Sequence, residues 1–158
     1  MKGRDYQGLS RRGFLAAAGG GAVLAATITI VPLDANADMA STKKAIAKII
    51  GDKETQSGRI TIKAPQIAEN GRVVPLTMKV DSPMTDSDYV KSLHVFVQNN
   101  PNPEVASFHF TPECGEAHVS FRCRMGQTSP VIAVAEMSDG TVYQTDVNVK
   151  VTIGGCGG

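Results

Sequence analysis

Ala117-His118-Val119-Ser120-Phe121-Arg122-Cys123-Arg124-Met125 alternates apolar and polar residues without a break. Ala117, Val119, Phe121, Cys123 and Met125 form one set, and His118, Ser120, Arg122 and Arg124 the other. A strand turns successive side chains to opposite faces, so a period of two marks a strand with one buried face and one wet face. A helix would scatter both sets around its circumference.

The same period recurs on either side of this stretch. Upstream lie Arg59-Ile60-Thr61-Ile62-Lys63, the run carrying Val74, Leu76, Met78 and Val80, and Tyr89 to Gln98 with Leu93, Val95 and Val97 on one face. Val105 to Phe110 adds another strand. Downstream, Val131 to Met137 is almost wholly apolar, as expected of a central strand. Thr141 to Ile153 forms a long last strand carrying Val142 and then Val147, Val149, Val151 and Ile153. Turn formers punctuate the runs: Asn70-Gly71, suited to positive φ, Pro83, Asn99-Asn100-Pro101-Asn102-Pro103, and the hairpin Ser138-Asp139-Gly140. About seven short strands at this spacing predict an all-β, immunoglobulin-like β-sandwich. Ahead of it, residues 38–54 predict a short N-terminal helix. Met39, Ala40, Ala45, Ile46, Ile49 and Ile50 share one side of it, and Lys43, Lys44 and Lys48 lie elsewhere.

The 37 residues before this helix carry an address rather than a fold. Ser10-Arg11-Arg12-Gly13-Phe14-Leu15 is a twin-arginine signature, followed by an Ala- and Gly-rich apolar run from Phe14 to Val31. Ala35-Asn36-Ala37 offers the small residues a signal peptidase needs, so cleavage is expected before Asp38. Residues 1–37 are thus expected to be a cleaved signal peptide, 38–153 the folded domain and 154–158 a separate arm. The expected location is the periplasm, without stable membrane anchoring. Removing residues 1–37 leaves 12 basic and 13 acidic residues. That balance lacks the basic excess of a general nucleic-acid binder, so no nucleic-acid partner is expected.

Chemistry concentrates at the end. Gly154, Gly155, Gly157 and Gly158 surround Cys156. Glycine is the least restricted residue, so this pentapeptide is expected to be a flexible arm with a reach of roughly 17 Å. A thiol is activated by a neighbouring cation, metal or helix N-terminus. The tail supplies none, and the chain's own carboxylate two residues on opposes ionisation. Cys156 therefore suits attachment rather than catalysis. Elsewhere no base, metal set or nucleophile constellation marks an enzyme, and no cofactor or metal is expected.

These features together resemble the Y-subunit family of the Sox thiosulfate-oxidising system. The carrying residues are the Gly154-Gly155-Cys156-Gly157-Gly158 terminus, the twin-arginine segment, Ala68-Glu69-Asn70-Gly71-Arg72-Val73-Val74-Pro75 and the Ser138-Asp139-Gly140 hairpin. The resemblance implies a periplasmic carrier that pairs with the Z subunit (SoxZ) and holds sulfur covalently on Cys156. It implies loading with thiosulfate by a c-type cytochrome (SoxXA) and release of sulfate by a hydrolase (SoxB). In some organisms a sulfur dehydrogenase (SoxCD) then oxidises the remaining sulfur. Gly154, Gly155, Gly157 and Gly158 take the swinging-arm role.

Cys114 and Cys123 leave two readings open. An even pair in an oxidising compartment suggests a disulfide, with Cys156 left over. Alternatively both are thiols, Cys123 being buried beside Phe121 and Met125. His94, His109 and His118 lack metal spacing and are expected on strand surfaces. Arg122 and Arg124 are expected on a solvated face, from which they could also meet a partner or an anion. A thiocarboxylate carrier working through its terminal carboxyl and a purely structural periplasmic sandwich are the rival functions.

Overall fold

The computed structural model describes residues 39–152. Helix α1 (Met39–Ile50) comes first. Nine strands follow: β1 (Thr55–Gln56), β2 (Ile60–Lys63), β3 (Ile67–Ala68), β4 (Val74–Val80), β5 (Val90–Val97), β6 (Glu104–His109), β7 (Ala117–Cys123), β8 (Ser129–Met137) and β9 (Val142–Val151). A 3-10 turn, Pro112–Cys114, precedes β7. The described residues form an all-β, immunoglobulin-like sandwich with one α-helix. The seven longer strands are the seven that periodicity predicts. The remaining two, β1 and β3, are two residues each and pair in parallel with β9.

One sheet has the order β2-β4-β7; the other runs β1-β9-β8-β5-β6, with β3 also on β9. In the small sheet the antiparallel register sets Val74 opposite Cys123, Leu76 opposite Phe121, Met78 opposite Val119 and Val80 opposite Ala117. All these side chains turn inward, because a fixed register sends every second residue to one face. They meet Leu93, Val95 and Val97 of β5 and Val131, Ala133, Ala135 and Met137 of β8 in one core. Pro75, Lys79, His118 and Arg122 stay outside.

The large sheet is covered on its second face as well, which explains the unbroken apolar run of β8. Ile46 of α1 packs there with Phe96, Ile132, Val134 and Val142, and Ala45, Ile49 and Ile50 flank them. Thr42 donates a hydrogen bond to the Gln98 carbonyl at 3.3 Å, fixing the start of the helix. Met39 and Ala40, expected on the buried side, are exposed instead, because Thr42 and Ile46 mark the contact line. The change of parity along β9 has the same origin. Val142 belongs to the helix-covered face, whereas Val147 and Val149 belong to the inner core.

Candidate functional site

Strand β9 carries the chain to the point where the Gly-Cys terminus begins. Gly154, Gly155, Cys156, Gly157 and Gly158 lie outside the described residues, as does the signal segment, so the geometry concerns the root from which that terminus departs. Strand β8 accompanies β9 only as far as the Ser129–Val149 pair. Beyond it three other groups hold the chain. The Lys150 N–H donates to the Gln66 carbonyl at 3.0 Å and the Thr152 N–H to the Ala68 carbonyl at 3.1 Å. Thr128 Oγ1 accepts from the Val151 N–H at 3.0 Å and donates to the Val151 carbonyl at 3.4 Å. The two-residue β3 therefore has a mechanical role: it extends the sheet under the last turn of backbone before the terminus.

Gly71 closes the root from below. Its carbonyl accepts from the Met125 N–H at 2.7 Å. A Cβ placed on Gly71 would collide with the Met125 carbonyl oxygen and lie 2.9 Å from Val151 Cγ1. Asn70-Gly71 was expected to supply positive φ. Gly71 does not have it and is required by close approach instead. Gly140, in the hairpin between β8 and β9, does adopt positive φ, at 86°.

Of the two readings of Cys114 and Cys123, the structure has the second: no bridge is formed and both are free thiols, Cys114 exposed and Cys123 buried. Strand β7 separates them. From Ala117 to Cys123 it runs for about 20 Å at the usual rise per residue. The three residues from Cys114 to Ala117 can return only about 10 Å of that, which leaves the Cα atoms beyond the roughly 7 Å limit for a disulfide. Burial pushes the Cys123 thiol pKa up, the behaviour of a small core residue and not of a reactive one.

His109 and His118 are exposed, as expected of strand surfaces. His94 is not. It is buried on β5, with Nδ1 3.1 Å from Glu104 Oε1 and 3.0 Å from Ser107 Oγ, and its ring stands edge-on to His109 at 6.0 Å. The burial follows from the second covered face of the large sheet, which alternation along β5 alone does not reveal. Among the described residues no three His, Cys, Asp or Glu side chains converge as a metal site. Arg122 and Arg124 are exposed, as expected.

The sequence profile of the family described as "Sulfur oxidation protein SoxY" matches residues 46–156. That span is more than half the chain and runs from α1 through Cys156. The chain belongs to the SoxY family. A solved structure described as the sulfur carrier protein SoxY from Chlorobium limicola f thiosulfatophilum is 36% identical, with a TM-score of 0.62, covering 72% of this chain and 98% of that one. SoxY membership makes the chain a protein of the Sox sulfur-oxidation system. Superoxide reductases share the fold alone. One from Ignicoccus hospitalis (neelaredoxin) is 17% identical with a TM-score of 0.52, covering 60% of this chain and 81% of that one. A putative superoxide reductase from Thermotoga maritima is 19% identical with a TM-score of 0.52, covering 63% and 88%. No curated protein matches the chain.

Proposed function

We propose that this SoxY-family chain is a periplasmic sulfur carrier whose attachment group is Cys156. The observation that carries this reading is the family match, which extends to residue 156 and so takes in the terminal thiol. The 36% identical relative described as a sulfur carrier supports it. Residues 1–37 act as a cleaved export signal, 38–153 as the body and 154–158 as the arm. The chain brings no cofactor; its cargo is sulfur bound covalently to Cys156.

The chemistry belongs to partners. The chain pairs with SoxZ. The thiolate of Cys156 and the outer sulfur of thiosulfate join in a sulfur–sulfur bond, releasing two electrons to the c-type cytochrome SoxXA. The product on the arm is a thiosulfonate carrying one negative charge. The hydrolase SoxB then uses one water to cleave the bond to the sulfonate, releasing sulfate and two protons and leaving a persulfide on Cys156. SoxCD oxidises that persulfide sulfur where it is present. Holding each intermediate covalently lets several enzymes act in turn without losing it.

Intact mass and tail-peptide mapping test the proposal. After incubation with thiosulfate, the cytochrome and an oxidant, added mass is expected on Cys156, and Cys156→Ser is expected to abolish both the adduct and thiosulfate-dependent respiration. Mass on the Gly158 carboxyl would point to a thiocarboxylate carrier, and a harmless Cys156→Ser to a structural sandwich.

A further inference from the structure

The root of the terminus is the meeting point of three segments, those around Gly71, Met125 and Val151. Each carries a cation one residue from that meeting point: Arg72, Arg124 and Lys150. All three are exposed, and none has an ion-pair partner among the described residues. The one carboxylate on these segments is Glu69, so three positive charges stand against one negative. Lys43, Lys44, Lys48, Lys63 and Arg122 are likewise exposed without an ion pair among the described residues, so what distinguishes these three is their convergence at the root. Lys53, Arg59, Lys79 and Lys91 all have carboxylate partners.

Two large apolar side chains join the cations. Ile67 is 56% exposed and Val73 51% exposed. Ile67 lies beside Lys150 in the parallel pairing of β3 with β9, and Val73 follows Arg72. Only one other large hydrophobic, Met39 on α1, is comparably exposed among the described residues. A cleft of about 420 Å³, lined by Asn100, Pro101, Asn102, Arg124 and Gly126, opens next to the same loop. Exposed apolar side chains with charged groups at their rim are a feature that protein interaction surfaces share.

We propose that Arg72, Arg124 and Lys150, with Ile67 and Val73, form a docking collar around the arm root that fits an acidic rim at the mouth of a partner enzyme's substrate channel. The inference rests on the carrier reading, because the collar matters only if the terminus enters other proteins. Cys156 stands four residues beyond Thr152, so the backbone carries its thiol no deeper than roughly 14 Å. The root must therefore come up against the channel mouth each time, and whatever surrounds the root is what the partner touches. Cations there steer an acidic mouth into register before contact, and Ile67 and Val73 supply apolar area once water is expelled. A small anion needs the cations but has no use for the two apolar side chains, which favours a protein partner over a bound anion.

The test uses the full mature chain paired with SoxZ and, as probes, the purified SoxB hydrolase and SoxXA cytochrome, with association followed at low and high salt. Arg72→Glu, Arg124→Glu and Lys150→Glu together are expected to slow association with at least one probe about tenfold or more at low salt. The loss should shrink at high salt. Ile67→Ser with Val73→Ser is expected to speed dissociation several-fold at every salt concentration. The same association is expected with Cys156→Ser, which separates the collar from the thiol. The milder set Arg72→Gln, Arg124→Gln and Lys150→Gln guards against misfolding and should give an intermediate effect. Unchanged rates and salt slopes in a folded charge-reversed variant overturn the collar. So does an effect confined to chains loaded on Cys156, since that makes the cations a seat for the anionic adduct. If Cys156 carries no adduct while charge reversal still slows association, the carrier reading fails and the docking surface stands.

Discussion

Cys123 faces Val74 across the β4–β7 pairing and sits in the core. Its thiol is held in the protonated form by burial, and alkylating agents attack the thiolate. Native protein treated with iodoacetamide near pH 8 is expected to lose Cys114 and Cys156 first. Cys123 should react at least about tenfold more slowly, until denaturant is added. Peptide mass mapping reads this directly, and recovery of a Cys114–Cys123 linked peptide without reduction would contradict the structure. The alternation of Cys123 with Phe121 and Met125 already held the buried reading. Composition and compartment pulled toward a bridge, because neither measures the length of strand between the two residues. Gly71 supplies a second test at this scale. Gly71→Ala forces its Cβ into the Met125 carbonyl and Val151, so urea unfolding is expected to show a loss of about 1–3 kcal/mol. Gly126→Ala, whose nearest neighbour is Asn100 Oδ1 at 4.0 Å, is the control and should cost less. Backbone-to-backbone approach leaves no trace in a sequence beyond the glycine itself, which is why Gly71 was open to misreading as a turn former.

Among the elements, the strands were legible and their neighbours less so. Period two identified the seven longer strands because each has an inner face sealed by the opposite sheet. The two short ones, β1 and β3, owe their existence to β9 and not to their own residues, so no local pattern announces them. Helix α1 was legible as amphipathic, but its contact line was not, since that line is set by Phe96, Ile132 and Val134 on strands far away in sequence. Ile46→Ala removes the side chain at the centre of this contact and is expected to cost about 2–4 kcal/mol in urea unfolding. Lys43→Ala, on the exposed face, should stay within about 0.5 kcal/mol. A second prediction concerns the clamp at Glu136 of β8, whose Oε1 lies 2.9 Å from Lys53 Nζ and 3.5 Å from Lys91 Nζ. The Lys53 hydrogen bond leads in holding this carboxyl below its ordinary range, and the charges of Lys53 and Lys91 add to it. A carboxylate with a depressed folded pKa stabilises the fold above its unfolded value and loses that contribution as pH falls through the folded one. Stability should therefore decline as pH drops below about 4.5. In Glu136→Gln the neutral-pH stability is expected to be lower and the acid slope shallower, a pair of changes that denaturant titrations at pH 7 and pH 3.5 distinguish from a simple loss of packing.

At the scale of the whole molecule the proposed carrier role divides labour between the folded body and the terminal Cys156. In the sequence the terminal motif carried most of the functional expectation, because glycines offer no side chains to a core; it lies outside the described residues. What the sequence did not disclose is how the end of β9 is held: Gln66, Ala68, Gly71 and Thr128, from two separate stretches, secure β9 up to Thr152. The core formed by β2, β4, β5, β7, β8 and β9 is complete before that point. Ending the chain at Thr152 is therefore expected to change unfolding free energy by less than about 0.5 kcal/mol, the usual range for surface changes, while abolishing sulfur loading altogether. Urea unfolding and intact mass on the same preparation measure the two quantities side by side. Gly71→Ala is expected to do the reverse, lowering stability while leaving Cys156 able to accept sulfur. A truncated chain that loses more than about 1 kcal/mol would mean the last six residues pack against the body, and a thiol so held could not be carried into a neighbouring enzyme.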